Sequence, residues 1–110
     1  MKLIGSEKQI KWASEILADI QGQANERIEK LENGITRHML KNKPERAERL
    51  NPELKNCSDI IKLVSMIHSA KNVIDFRPSV EITNWRRFVL DVARMAEITT
   101  DEGLTANGIS

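Results

Sequence analysis

A chain of 110 residues with 17 Lys and Arg against 16 Asp and Glu carries a formal net charge of +1. This length corresponds to one domain, and the near-neutral balance matches neither a strongly basic nucleic-acid-binding domain nor the acidic surface of a DNA mimic. The single cysteine, Cys57, excludes an intrachain disulfide and is typical of a reducing compartment. The N-terminus lacks the apolar run of a secretory signal, and no run approaches the roughly 20 residues that span a bilayer. We therefore expect a soluble cytoplasmic protein without membrane association.

The first predicted helix covers residues 6–40. Ser6 can cap it, because a serine hydroxyl accepts a hydrogen bond from an exposed backbone N–H of the first turn. Apolar residues then recur at steps of three and four, which is typical of a helix with one buried face. They are Ile10, Ala13, Leu17, Ile20, Ala24, Ile28, Leu31 and Ile35. Two possibilities stay open, since the helix either continues to Leu40 or ends at the C-cap candidate Asn33-Gly34.

A continuous first helix predicts a homodimer. At ~1.5 Å per residue the helix is roughly 54 Å long, whereas a compact chain of this size has a radius of gyration near ~13 Å. The second helix covers about half of that length, so Ile28, Leu31 and Ile35 face water unless a second copy buries them. We expect a two-fold dimer through these three residues. If the helix breaks at Gly34, we expect a monomer that folds back over its own apolar face.

The second main helix is predicted over residues 58–76, with Ser58 as its N-cap and Pro78 just beyond its end. A polar and basic connection, residues 41–57, precedes it. Within this connection Pro44 can open a short helix with the sequence PERAERL, because proline is tolerated in the first turn.

The third main helix is predicted over residues 80–98, with Ser79 or Thr83 as its cap. The tail, residues 99–110, is polar and contains glycine, so we expect it to be flexible. No segment alternates apolar and polar residues over enough positions to predict a strand. The predicted fold class is all-α, with a long N-terminal helix packed against two shorter ones as a helical hairpin or bundle. It forms a single domain over residues 1–98.

Two stretches of the chain form recognisable motifs, GSEKQIKWASEI near the N-terminus and SAKNVIDFR downstream. They resemble the GSxKQIxWAxxI and AKxWIDxR stretches of a group of uncharacterised bacterial and phage or mobile-element proteins. The first motif matches at Gly5, Ser6, Lys8, Gln9, Ile10, Trp12, Ala13 and Ile16. The second matches at Ala70, Lys71, Ile74, Asp75 and Arg77 and departs at Val73, where the motif has Trp. Neither motif is a catalytic signature, so the resemblance implies an origin and a fold more than an activity.

The two motifs also predict a contact between helices. Lys8 and Gln9 lie in the first turn of the first helix. Asp75 and Arg77 lie at the end of the second, and an antiparallel pair of helices brings these ends together. We expect Trp12 to be largely buried against the second or third helix, so that Trp12→Ala costs on the order of 3 kcal/mol or more. A buried Trp12 indicates a structural clamp, whereas an exposed one indicates a binding groove formed by these five residues.

The residues give little support for catalysis. His38 and His68 lie in different predicted helices, without a Cys or carboxylate at metal-ligand spacing. Cys57 has no sequence-local partner that would activate its thiol. The chain has neither a glycine-rich phosphate loop nor a Ser-His-Asp pattern. We therefore expect no enzyme, no metal site and no cofactor.

Basic residues provide the alternative hypothesis. The candidates for phosphate contacts are Arg37, Lys41, Lys43, Arg46, Arg49, Arg86 and Arg87. Three glutamates, Glu45, Glu48 and Glu53, dilute the first cluster, so it is either a solvated connection or a phosphate patch.

The sequence thus favours a non-enzymatic protein-binding module. In the context of the resemblance to mobile-element proteins, this implies an inhibitor of a host defence system, similar to anti-CRISPR proteins. The alternative is a small nucleic-acid-binding accessory protein that uses the basic residues.

Overall fold

Helices form the whole of the regular structure in the part of the chain that is described. The computed structural model describes residues 3–79, 81–98 and 101–106. In chain order the helices of these residues are α1 (Glu7–Leu40), α2 (Pro44–Glu48), α3 (Asn51–Val64), α4 (Ala70–Asp75), α5 (Trp85–Met95) and α6 (Asp101–Ala106). The predicted all-α class, with a long N-terminal helix packed against shorter ones, is confirmed. None of the described helices has the length and apolar content needed to cross a membrane.

The long helix α1 starts where the sequence predicts. The Ser6 hydroxyl accepts a hydrogen bond from the Gln9 N–H at 3.2 Å, and the Gln9 side chain accepts one from the Ser6 N–H at 3.1 Å. This reciprocal capping box satisfies two backbone donors at the start of the helix. With 34 residues α1 is about 51 Å long, which accounts for the 53 Å longest dimension of the molecule.

The alternative of a helix end at Gly34 is wrong, because α1 continues through this residue to Leu40. A Cβ at Gly34 would lie 3.0 Å from Leu50 Cδ1, so the missing side chain lets the following segment approach α1 closely. The helix ends in a Schellman motif in which Asn42 has a left-handed φ of 55°. The Lys43 N–H donates to the His38 carbonyl at 2.8 Å and thereby satisfies one of the last carbonyls.

The predicted second helix, residues 58–76, is wrong in its start and in its continuity. The short helix at Pro44 forms as predicted, but α3 already begins at Asn51. Pro52 lies in its first turn, where a missing N–H removes no intrahelical hydrogen bond. Ser58 is therefore an interior residue of α3 rather than a cap.

The interruption between α3 and α4 is filled by the residues that precede α1. The Ile4 N–H donates to the His68 carbonyl at 2.7 Å, and the Ala70 N–H donates to the Ile4 carbonyl at 3.1 Å. These bonds form an isolated parallel bridge between Ile4 and Ser69. Ser69 then caps α4, because its side chain accepts from the Asn72 N–H at 3.2 Å. The N-terminal segment thus supplies hydrogen-bond partners for the His68 carbonyl and the Ala70 N–H at the interruption between α3 and α4.

The third main helix, α5, is shorter than the predicted range 80–98. Its N-cap is Asn84, not Ser79 or Thr83, and the Asn84 side chain accepts from the Arg87 N–H at 3.1 Å. An asparagine oxygen is a strong N-cap acceptor, so the helix begins directly after it.

One hydrophobic core lies along α1. The buried residues of α1 all belong to the predicted apolar face: Ala13, Leu17, Ile20, Ala24 and Leu31. Helices α3, α4 and α5 contribute fully buried side chains, among them Ile60, Leu63, Val73, Val92 and Met95. The tail for which the sequence predicts flexibility contains α6, and Leu104 of this helix packs against the core.

Candidate interaction surfaces

Trp12 lies on the surface, and the prediction that it is buried is wrong. The residue is 46% exposed, and the Arg77 guanidinium carbon lies 4.8 Å from the centroid of its ring. This distance is within the range of a cation–π attraction. Trp12 precedes the buried Ala13, and consecutive helical residues are rotated by about 100°, so Trp12 faces the edge of the buried stripe. Its position off the apolar spacing was the sequence signal for this exposure.

Trp12 belongs to an exposed group of residues at the N-terminal end of the molecule. We define the Trp12 patch as Ile4, Trp12, Phe76 and Arg77. Ile4 is 74% exposed and is held beside the start of α4 by its bridge, while Phe76 is 36% exposed and is the C-cap of α4. Arg77 Nη1 donates to the Ile74 carbonyl at 2.5 Å. The last turn of α4 therefore anchors the cation that covers the indole ring.

The five predicted interaction residues have different roles in the structure. Gln9 completes the capping box of α1, and Asp75 lies 3.8 Å from the ammonium of a lysine in the same helix. Trp12 and Arg77 contact each other on the surface. Lys8 is exposed one turn before Trp12, on the same side of α1. The structure thus brings the two motifs together, with three of the five residues available to a partner.

Other motif residues build the junction between the N-terminal segment and α4. A Cβ on Gly5 would lie 3.0 Å from Gln9 Oε1 and 3.1 Å from Ala70 Cβ, so a side chain here would have to push these neighbours apart. Ala70 is fully buried. Val73, at which the chain departs from the second motif, is also fully buried, so this departure changes the core.

The candidate phosphate-binding residues are all exposed. None of the seven forms an ion pair with a residue that the structure describes. The end of the molecule where α1 stops and α2 begins carries five of them: Arg37, Lys41, Lys43, Arg46 and Arg49. Met39 and Leu40 are exposed at the same end.

The tertiary structure brings together Arg49 and Arg86, which come from two separate basic segments. They line one cleft of about 380 Å³ between the start of α3 and the start of α5, together with Asn84 and Glu53. The sequence identified each arginine as a candidate but did not predict that they share a cleft. Their proximity depends on how α5 packs against α3.

A second cleft, of about 310 Å³, adjoins the first and contains an ion pair that sequence reasoning missed. Arg27 donates to both Glu53 oxygens, with Nε–Oε1 at 3.1 Å and Nη2–Oε2 at 2.8 Å. The hydrogen bond to Glu53 raises the pKa of the Arg27 guanidinium above its usual value. Gln23 Oε1 also accepts from the Ile82 N–H at 3.1 Å. These contacts tie α1 to α3 and to the segment before α5.

Cys57 is a core residue rather than a nucleophile. It is fully buried, and burial, with a smaller contribution from the Glu53 carboxylate, raises the pKa of its thiol to about 11. Because the thiolate is the reactive form, the side chain is protonated and unreactive at neutral pH.

The premise of the predicted dimer is wrong, because the chain covers its own apolar face. Leu31 is only 3% exposed in a single chain, and Ile28 packs against the same core. Ile35 is partly buried. Helix α2 and Leu50 fold back on the C-terminal half of α1, without any break at Gly34. The apolar face therefore requires no second copy, and the homodimer stays an untested prediction.

The described residues contain no group of three His, Cys, Asp or Glu side chains placed to hold a metal ion. Comparison of the chain with protein-family models, with curated proteins and with solved structures finds no match. Two exposed surfaces of this chain carry candidate interaction residues, the Trp12 patch and the basic residues at the opposite end of α1.

Proposed function

We propose that this protein is a non-enzymatic protein-binding module that docks on its partner through the Trp12 patch. The observation that carries the proposal is the exposed contact between Trp12 and Arg77, one residue from each motif. Gly5, Gln9 and Ala70 of the same motifs have roles in building the junction. Trp12 and Arg77 have no comparable role in the core, which supports a role in recognition.

The chemistry of the patch supports protein recognition. Tryptophan and arginine are enriched among the interface residues that contribute most to binding. Arg77 is held by the Ile74 carbonyl and by the ring it covers, so less side-chain freedom is lost when a partner binds. Ile4 beside the start of α4 and Phe76 at its C-terminal end are further exposed apolar residues of the patch. A complementary partner presents an apolar pocket with carboxylates at its rim, which would pair with Arg77 and Lys8.

The resemblance to mobile-element proteins supports a biological setting for this module. An inhibitor of a host defence system, similar to anti-CRISPR proteins, acts by occupying a surface of a host protein and needs no catalytic residues of its own. The lone buried Cys57 supports a cytoplasmic location, because a free thiol persists in a reducing compartment.

Affinity capture from a bacterial lysate, with the wild-type chain and three variants, tests this proposal. We expect Trp12→Ala and Arg77→Ala each to lose the same captured protein. Leu90→Ala is the matched control, because Leu90 is also an exposed large apolar residue but lies on α5. Retention of the partner by both patch variants, or its equal loss from the Leu90 variant, would contradict docking through the Trp12 patch.

A further inference from the structure

Five of the 17 basic residues of this nearly neutral chain lie between residues 37 and 49, at the end of the molecule where α1 stops and α2 begins. We define the basic end as the five cations between residues 37 and 49 together with Arg86, which lies across the cleft, and the adjacent Arg87. Only two glutamates, Glu45 and Glu48, lie between residues 37 and 49. Elsewhere in the described chain, five basic residues are paired with carboxylates: Arg27, Lys30, Lys55, Lys71 and Arg94. The basic end has no such internal partners among the described residues, so its charge is available to an external anion.

Two cations of the basic end, Arg49 and Arg86, lie on a concave surface. These two residues, from different elements, line a concavity of about 380 Å³, and a guanidinium can bind phosphate oxygens in a bidentate manner. Glu53 lines the same cleft, but both of its oxygens accept hydrogen bonds from Arg27. A concave surface between two cations suits a projecting strand of phosphates better than a flat lipid surface. The further cations of the basic end suit a polyanion better than a single phosphate.

The aromatic residues favour a duplex over a single strand. Proteins that bind single-stranded nucleic acid stack the bases on exposed aromatic rings. Trp85 lines the cleft but is only 4% exposed, since it belongs to the hydrophobic core, where its ring packs edge-on against Phe88. The exposed aromatic residues, Trp12 and Phe76, belong to the other end of the molecule. The basic end therefore offers phosphate contacts without a stacking surface.

We propose that the basic end binds the phosphate backbone of double-stranded nucleic acid without sequence preference. This site is separate from the Trp12 patch, since Trp12 and Leu40 lie about 42 Å apart along α1. The inference does not depend on the proposed protein partner. If both hold, the protein connects a protein surface at one end to a duplex at the other.

Salt-dependent binding to a DNA duplex tests the proposal. Fluorescence anisotropy measures the dissociation constant between about 50 and 200 mM salt, because each phosphate contact adds roughly 0.9 to the slope of log K against log salt concentration. We expect Arg49→Ala/Arg86→Ala to lower this slope by about 1.8 and to weaken binding by on the order of tenfold at ~100 mM salt. Lys11→Ala/Lys62→Ala removes the same net charge from exposed positions outside the basic end and should leave the slope unchanged.

A conservative variant protects the test against a folding defect. Arg49→Lys/Arg86→Lys keeps both charges and should retain the wild-type slope, and circular dichroism melting should show all variants folded. Four results would overturn the proposal. They are no duplex binding at ~50 mM salt, equal losses in the two alanine double variants, tighter binding to a single strand of the same length, and binding only to phosphatidylserine vesicles.

Discussion

Alanine substitution of the two glycines inside α1 tests whether this helix is continuous and how Leu50 covers it. A Cβ on Gly22 meets no atom within 4 Å. We therefore expect Gly22→Ala to raise the free energy of unfolding by the full difference in helix propensity, about 1 kcal/mol. For a domain of this size that corresponds to a rise in Tm of roughly 4–6 °C. A Cβ on Gly34 would lie 3.0 Å from Leu50 Cδ1, so Leu50 must shift and part of the gain is lost. We expect a smaller net gain for Gly34→Ala, between zero and about 1 kcal/mol.

Urea and thermal unfolding followed by circular dichroism measure both effects. Repeating Gly34→Ala in a Leu50→Ala background removes the obstructing methyl group, and the substitution should then gain the same free energy as Gly22→Ala. A different result would refute this reasoning. If Gly34→Ala lowers the free energy of unfolding by more than about 1 kcal/mol in both backgrounds, Gly34 has a left-handed conformation at a helix end.

Two further predictions concern single side chains. We expect a thiol reagent to label buried Cys57 slowly at pH 7 and rapidly in urea; equal rates would contradict its burial. Because the folded-state pKa of this thiol is raised from 9.0 to about 11, the free energy of unfolding should be undiminished below pH 9 and fall as the pH approaches 11. A double-mutant cycle of Trp12→Ala and Arg77→Ala should give a coupling of about 0.5–1 kcal/mol, the range for exposed cation–π pairs. The lost hydrogen bond from Arg77 to the Ile74 carbonyl cancels in this cycle, and zero coupling would mean that the ring contact does not form.

The apolar spacing of α1 was sufficient to predict both the helix and the face that it buries. Every buried residue of α1 falls on that face, because a stripe with a helical period can be buried only on one side. The same spacing places Trp12 beside the stripe. The prediction that Trp12 is buried failed because it relied on the residue type, although a large aromatic residue at the edge of a helix face stays partly exposed.

The second predicted helix shows what local sequence could not determine. Residues 65–69 contain no glycine or proline and continue the helical apolar pattern, so nothing in them predicts an interruption. The break depends on hydrogen bonds between His68, Ala70 and the distant Ile4. The same limitation applies to the C-terminal half of α1, because local sequence did not predict that Leu50 packs closely against α1 at Gly34.

Local sequence patterns were enough to predict the helical class, the capped start and buried face of α1, and candidate residues for contact with a partner. Which of those residues lie close together depends on the tertiary fold. Arg27 and Glu53 are 26 positions apart, and Arg49 and Arg86 lie before α3 and in α5. The distance between the members of each pair depends on the register and crossing of whole helices. Burial of the shared core sets this packing, and the local sequence around either residue does not.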